Sequence, residues 1–315
     1  MVELIAFWIG ALIISLALLV KSSGWFINAA EKVGLHFGLP SFVVGITIAS
    51  VGTSLPELLT AVIGVFSSPD IVTGTAIGSN ISNILLIVGL SAVFANHLRL
   101  TWELIHVDLP MLVGSAFLLY FTAMDGMITM FEALIFLATY LVYIEYTISI
   151  QRKNVERQDR EGKQRPPLEK KTILTLLASM FFLYIGANYT VESVVSLSQL
   201  LGIGVEVIAL SAVAIGTSLP ELTVSIMAAR KANFELAVGN VFGSNIFNTF
   251  VVIGIPALLV PLAVPASIIA LALPFMVVIT LLAFFITQDK DVTRWEGALL
   301  ILLYVFFIGA LLGLT

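Results

Sequence analysis

Ten stretches of mostly apolar residues follow one another along this 315-residue chain, and that pattern leaves few folds open. A helix needs ~20 such residues to cross a bilayer. On that ruler the spans run over about 3–35, 40–67, 70–96, 103–122, 127–150, 170–200, 203–230, 233–261, 266–287 and 294–314. With 59% hydrophobic residues, 11% charged ones and a mean hydropathy of +1.07, the chain is predicted to be an all-α integral membrane protein. Glu3 stands where a signal peptide would carry a cation, so the N-terminal stretch is read as the first span. There are no cysteines, which excludes disulfides and thiolate metal sites.

The cations set the orientation. Gln151–Lys171 is the one long polar segment, and it holds Arg152, Lys153, Arg157, Arg160, Lys163, Arg165, Lys170 and Lys171, eight of the fifteen Lys and Arg. Its charge makes it cytoplasmic, and its composition, with Pro166-Pro167, predicts a flexible linker. Ten spans then place both termini outside. Lys32, Arg99, Arg230, Lys231, Lys290 and Arg294 all fall at span ends assigned to the cytoplasm, whereas the outer connections carry Asp70, Asp125 and Glu206 and no Lys or Arg. Lys21, inside the first span, is unassigned. The expected location is the plasma membrane of a prokaryote.

Within these spans one heptapeptide, Gly-Thr-Ser-Leu-Pro-Glu-Leu, occurs at Gly52–Leu58 and again at Gly216–Leu222. Gly-Ser-Asn-Ile-x-Asn follows each copy, at Gly78–Asn83 and Gly243–Asn248. The same alignment pairs Gly38 with Gly202, Trp25 with Tyr189 and Ser22 with Gly186. The chain therefore reads as two homologous halves, 1–150 and 170–315, joined by the 151–169 linker. Five spans per half is an odd number, so the halves are expected to enter the membrane in opposite directions. That inverted repeat is an arrangement of secondary transporters, with the binding site near the midplane between the halves.

A carboxylate at membrane depth is costly and needs a partner. Thr53 and Ser54 lie four and three residues before Glu57, so all three share a helix face, and Thr217, Ser218 and Glu221 repeat the spacing. Pro56 and Pro220 free the carbonyls of Gly52 and Gly216. Ser79 with Asn83, and Ser244 with Asn248, are again four apart, and Gly78 and Gly243 allow close helix approach. An all-oxygen set suits a hard cation such as Ca2+, Na+, Mg2+ or Mn2+, and two glutamates match the charge of one divalent ion. His36, His97 and His106 lie outside the motifs near the interfaces and are read as solvated or locally bonded. A channel would more naturally be a symmetric oligomer. The motif serines have no His or Lys beside them for nucleophilic chemistry, so no enzyme is expected.

These paired segments resemble the two alpha-repeats of the cation/Ca2+ exchanger superfamily, most of all its prokaryotic sodium/calcium exchanger branch. The resemblance implies Ca2+/Na+ antiport by alternating access, with the long first helix of each half sliding over a fixed eight-helix core. It implies that Glu57, Glu221, Thr53 and Thr217 bind Ca2+. Ser54, Ser218, Ser79 and Ser244, with the backbone carbonyls of Ser50 and Ala214, would complete the flanking Na+ sites, and Asn83 and Asn248 would occupy the centre. Three positions depart from the pattern: Asn248 stands where such exchangers often carry Asp, and Gly24 and Asn188 where they often carry an acid. Calcium/proton exchange is therefore the alternative, although that branch usually shows Gly-Asn-x-x-Glu where this chain has Gly-Thr-Ser-Leu-Pro-Glu. No cofactor, nucleic acid or obligate protein partner is implied; the partners are the ions and membrane lipid.

The remaining polar residues receive plainer readings. Glu192, Glu132 and Glu145 are taken as interfacial or paired, Trp25, Trp102 and Trp295 as belt residues, and the linker as a tether.

Overall fold

A computed structural model describes residues 2–66, 69–95, 97–100, 108–160, 166–200, 218–311 and 313, with side chains described except at 2–3, 69–71, 150–160, 194 and 198. Apolar helices dominate: α1 (Val2–Phe37), α2 (Ser41–Gly64), α3 (Val72–Ala95), α4 (Asp108–Ala123), α5 (Met130–Arg160), α6 (Lys170–Leu200), α7 (Leu219–Arg230), α8 (Phe234–Leu259), α9 (Ile268–Gln288) and α10 (Arg294–Leu311). Eight of them are long and apolar enough to cross a membrane; α4 is apolar but shorter, and the described part of α7 has 12 residues. The chain is thus a multi-pass membrane protein. The predicted seventh span begins within 201–217, outside the described residues, as do His106, Trp102, Gly202, Glu206, Ala214, Gly216 and Thr217.

Local chemistry explains where the helices start and stop. Gly38, at φ +68°, ends α1: its N–H reaches Leu35 O and the Leu39 N–H reaches Gly34 O, the pair of hydrogen bonds that closes a helix C-terminus. Thr129 and Glu132 form a reciprocal cap at the start of α5, with the Thr129 N–H 2.7 Å from Glu132 Oε2. Thr293 and Glu296 repeat it before α10 at 2.8 Å. Asn233 caps α8 by accepting from the Leu236 N–H after a tight turn through Ala232, φ +58°.

The expected linker is corrected in its first part. Helix α5 runs on to Arg160, so residues 151–160 are helical rather than irregular. Arg, Lys, Glu and Gln are good helix formers, and no Gly or Pro interrupts them before Gly162 and Pro166-Pro167. Pro220 also differs from expectation. The described helix α7 begins at Leu219 with Ser218 as its cap, so Pro220 sits in the first turn, where a missing N–H costs little.

Two small ribbons join the connections. His97–Arg99 pairs antiparallel with Asp291–Thr293, and Met127–Ile128 pairs with Leu262–Ala263. His97 Nδ1 lies 3.1 Å from Asp291 Oδ1 on the first ribbon, and His36 Nδ1 lies 2.9 Å from Pro166 O, so both described histidines are locally bonded. Helices α1 and α6 lie along each other, with Thr190 Oγ1 2.9 Å from Ser15 Oγ and Leu19 against Gly186. Lys21 stacks its ammonium 5.5 Å from the Trp25 ring centre, while Glu192 is exposed and Glu132 serves as a cap. At the centre α8 is buried almost throughout.

Candidate functional site

Helices α2 and α8 cross at backbone contact, and three glycines permit it. A Cβ on Gly45 would stand 2.7 Å from Leu236 O, one on Gly239 2.5 Å from Phe42 O, and one on Gly243 2.6 Å from Ile46 O. Gly239 and Gly243 have the small-xxx-small spacing that membrane helices use for close approach. The expectation for Gly243 holds; at Gly78 no described residue lies within 4 Å of the equivalent position. The crossing sets Ser50, Thr53 and Ser54 of α2 beside Asn240 and Ser244 of α8.

The two halves meet directly there. Ser54 Oγ lies 2.8 Å from Glu221 Oε1 and 3.1 Å from Ser244 Oγ. A hydroxyl has one hydrogen, and an ionised carboxylate can only accept it. With Glu221 ionised, Ser54 donates to it and accepts from Ser244. Thr53 Oγ1 lies 3.3 Å from Ser50 O and 3.3 Å from Asn240 Oδ1. Glu57 is buried as well.

A second polar group lies between α3 and α8. Asn245 Nδ2 donates to Asn80 O at 3.1 Å, and a peptide carbonyl can only accept. That turns Asn245 Oδ1 toward Asn83, whose Nδ2 donates to it at 2.9 Å. The Asn83 amide oxygen is thereby directed away from Asn245. Asn80 Nδ2 also reaches Thr249 Oγ1 at 3.0 Å. Asn83 and Asn248 each open a π-helical segment, Asn83–Val88 and Asn248–Val252. Such widened turns recur at functional positions in helices.

Six buried oxygens of this region are left without a hydrogen-bond partner: Glu57 Oε2, Glu221 Oε2, Asn80 Oδ1, Asn83 Oδ1, Asn248 Oδ1 and Ser218 Oγ. A buried polar atom without a partner costs about 1–3 kcal/mol, more if charged. Five of the six are pure acceptors when the glutamates are ionised, so hydrogen bonding among those five cannot relieve that cost; a hard cation is the kind of partner that takes such lone pairs. Among the described residues no three His, Cys, Asp or Glu come together. The set is two carboxylates among neutral oxygens.

Of the sequence-predicted residues, the structure thus connects Ser54, Glu221 and Ser244, sets Thr53 between the Ser50 carbonyl and Asn240, and leaves Glu57, Ser218, Asn83 and Asn248 each with a buried oxygen that has no hydrogen-bond partner. Ser79 is buried on the same helix as Asn83. Thr217 and Ala214 lie outside the described residues. Sequence reasoning missed Asn80, Asn245 and Asn240. Asn80 and Asn245 are the shared asparagine of Gly-Ser-Asn-Ile, so their repetition was a usable signal. Asn240 had none, since Thr75 fills the corresponding position in the first half.

Comparison with known proteins decides the family. The model of the family Sodium/calcium exchanger protein matches the chain over residues 7–149 and again over 171–313. The chain belongs to the sodium/calcium exchanger family. It is 33% identical to the sodium/calcium exchanger MaX1 of Methanosarcina acetivorans, covering 95% of this chain and 97% of that protein. It is 31% identical to the inner membrane protein YrbG of Escherichia coli over 79% of each chain. A structure of the sodium-calcium exchanger NCX_Mj, soaked with zero Na+ and Ca2+, matches with a TM-score of 0.84 at 28% identity, over 98% of this chain and 99% of that one.

Proposed function

We propose that this protein is a secondary antiporter that exchanges Ca2+ for Na+ across the plasma membrane, with its ion site at the midplane between two inverted five-helix halves. The observation that carries the reading is the contact of Ser54 in one motif copy with Glu221 in the other, within a cluster of buried acceptor oxygens. The proposed Ca2+ ligands are Glu57, Glu221, Thr53 and Thr217. Ser54, Ser218, Ser79, Ser244 and the carbonyls of Ser50 and Ala214 serve Na+, with Asn83 and Asn248 central. Two carboxylates balance one Ca2+.

Several observations support the inverted, ten-span arrangement with its 1–150 and 170–315 halves. The family model matches twice, once over each half. The ribbon between Arg99 and Asp291 joins connections assigned to the cytoplasm, and that between Met127 and Ala263 joins connections assigned to the outside. Near-equivalent segments pair in both, as a two-fold axis in the membrane plane requires. The caps at Thr129 and Thr293 lie 164 residues apart, the same interval as the heptapeptides. On the cytoplasmic side, Lys231 Nζ bonds Asn28 Oδ1 at 2.6 Å, and His36 meets Pro166 of the linker. The α1–α6 pair is the element proposed to shift between outward and inward access.

Flux into proteoliposomes tests the reading. An outward-directed Na+ gradient is expected to drive Ca2+ uptake. If three Na+ exchange for one Ca2+, each cycle moves one charge, worth ~2.3 kcal/mol per 100 mV, and uptake responds to voltage. Uptake driven equally by a proton gradient without Na+ would replace Na+ by H+ as the coupling ion, and uptake independent of any opposing gradient would sink the antiport reading.

A further inference from the structure

Asn240 is fully buried in α8, carries no charge, and is bonded on every side. Its Nδ2 lies 2.9 Å from Ser225 Oγ and 3.4 Å from Glu221 O, and its Oδ1 lies 3.3 Å from Thr53 Oγ1. The Glu221 carbonyl can only accept, so it fixes which way round the amide stands. With the amide held that way, its oxygen faces Thr53 and can receive the Thr53 hydroxyl hydrogen. Thr53 has other candidates for that hydrogen in Ser50 O, at the same 3.3 Å, and in the Glu221 carboxylate beside it. The outcomes differ for a bound ion. If Ser50 O takes the hydrogen, one carbonyl lone pair near the ion is used up and the Thr53 lone pairs turn with the rotated hydroxyl. If Asn240 takes it, the Ser50 carbonyl and the Thr53 oxygen both remain free as acceptors.

We propose that Asn240 is a positioning residue, which holds the Thr53 hydrogen and so keeps Thr53 Oγ1 and Ser50 O available to the cation. This rests on the reading of the cluster as the Ca2+ site. Asn240 touches no ion itself; it acts through Thr53. It also ties the halves together, since Thr53 belongs to the first motif copy and Glu221 and Ser225 follow in the second. Thr75 occupies the corresponding place in the first half, so the amide itself is not duplicated.

The test is a double-mutant cycle read by calorimetric titration of Ca2+ into the purified full chain in Na+-free buffer. Asn240→Leu keeps the volume and removes the amide. It is expected to weaken Ca2+ binding about tenfold, the size of one hydrogen bond to a charged site. Thr53→Val is expected to do about the same, and the double variant no more than the larger single effect, because both remove one device. Unchanged binding in Asn240→Leu, or effects that multiply to about a hundredfold in the double variant, overturns the proposal. Should Asn240→Leu not fold, Ser225→Ala removes one anchor of the amide while keeping Asn240. Its weakening is then expected in the Thr53 background and absent beside Thr53→Val; equal weakening in both overturns the proposal. If the unmodified protein binds no Ca2+, the site reading itself fails and this inference falls with it; if it binds and the cycle is additive, only the inference fails.

Discussion

Ser54 Oγ and Glu221 Oε1 are 2.8 Å apart although 167 residues separate them in the chain. The bond uses one carboxylate oxygen of Glu221 and leaves Oε2 without a partner. Glu221→Gln and Glu57→Gln are each expected to abolish Ca2+ uptake into vesicles, because either removes half of the fixed charge that balances a divalent ion. Ser54→Ala keeps both charges and is expected to weaken uptake affinity by about tenfold. Uptake at full rate in either glutamine variant would dissolve the site assignment.

Asn248 is buried with its amide oxygen unpartnered. Asn248→Asp adds a third ionisable group to the cluster. A carboxylate there binds either a proton or a share of the cation, so protons compete with Ca2+. Ca2+ affinity of the variant is expected to fall as pH falls, more steeply than in the unmodified protein. Parallel pH profiles for the two would place Asn248 outside the ion cluster.

Gly243 has no room for a side chain: its Cβ would lie 2.6 Å from both Ile46 O and Ser50 Oγ. Gly243→Ala forces α8 off α2, at a cost of about 1–3 kcal/mol. Thermal melting is expected to show lowered stability together with weakened Ca2+ binding, since Ser50 and Ser244 move apart. Gly24→Ala, with nothing within 4 Å of its Cβ position, serves as the control and leaves both unchanged.

The caps at Thr129 and Thr293 offer the opposite separation. Thr129→Ala or Thr293→Ala removes hydroxyl and reciprocal bonds worth ~1 kcal/mol, at helix starts carrying none of the proposed ligands. Each is expected to lower the melting temperature while Ca2+ affinity stays as it was. A change in affinity would show that these caps are coupled to the ion cluster.

A cysteine-free chain makes sidedness simple to measure. Asp125→Cys, on the connection before the Met127 ribbon, is expected to react with a membrane-impermeant thiol reagent applied outside whole cells. Arg99→Cys, on the other ribbon, is expected to react only after the membrane is opened. Labelling of both from one side would rule out the inverted arrangement.

Much of the helical framework was legible in advance. Helix Lys170–Leu200 matches the span that hydropathy places over 170–200, and Arg294–Leu311 lies within 294–314, because mean hydropathy and span length are properties of the local sequence. The linker was less legible. Charge identified Gln151–Arg160 as polar, but polarity does not distinguish a solvated helix from a loop when the residues are good helix formers. The π-helical segments at Asn83 and Asn248 had no local signature, since an i→i+5 turn depends on what packs beside it. The Gly45–Gly239 contact was equally hidden, because it takes both partners to show why neither has a side chain.

The sequence by itself determined that this chain lives in a membrane, that its buried acids come in two copies with the same hydroxyls and amides around them, and that oxygen is the chemistry they offer. Those are local properties: hydropathy along a span, and residues repeated at a constant interval. Only the tertiary structure decided which oxygens remain open. A hydroxyl or amide presents a hydrogen or a lone pair according to its neighbours, and those neighbours lie on other helices, several of them in the opposite half of the chain. The Asn80 carbonyl sets Asn245 and through it Asn83, and the Glu221 carbonyl sets Asn240 and through it Thr53. Hydrogen-bond polarity is handed on from acceptor to donor through space, so it could be read only once the helices had crossed.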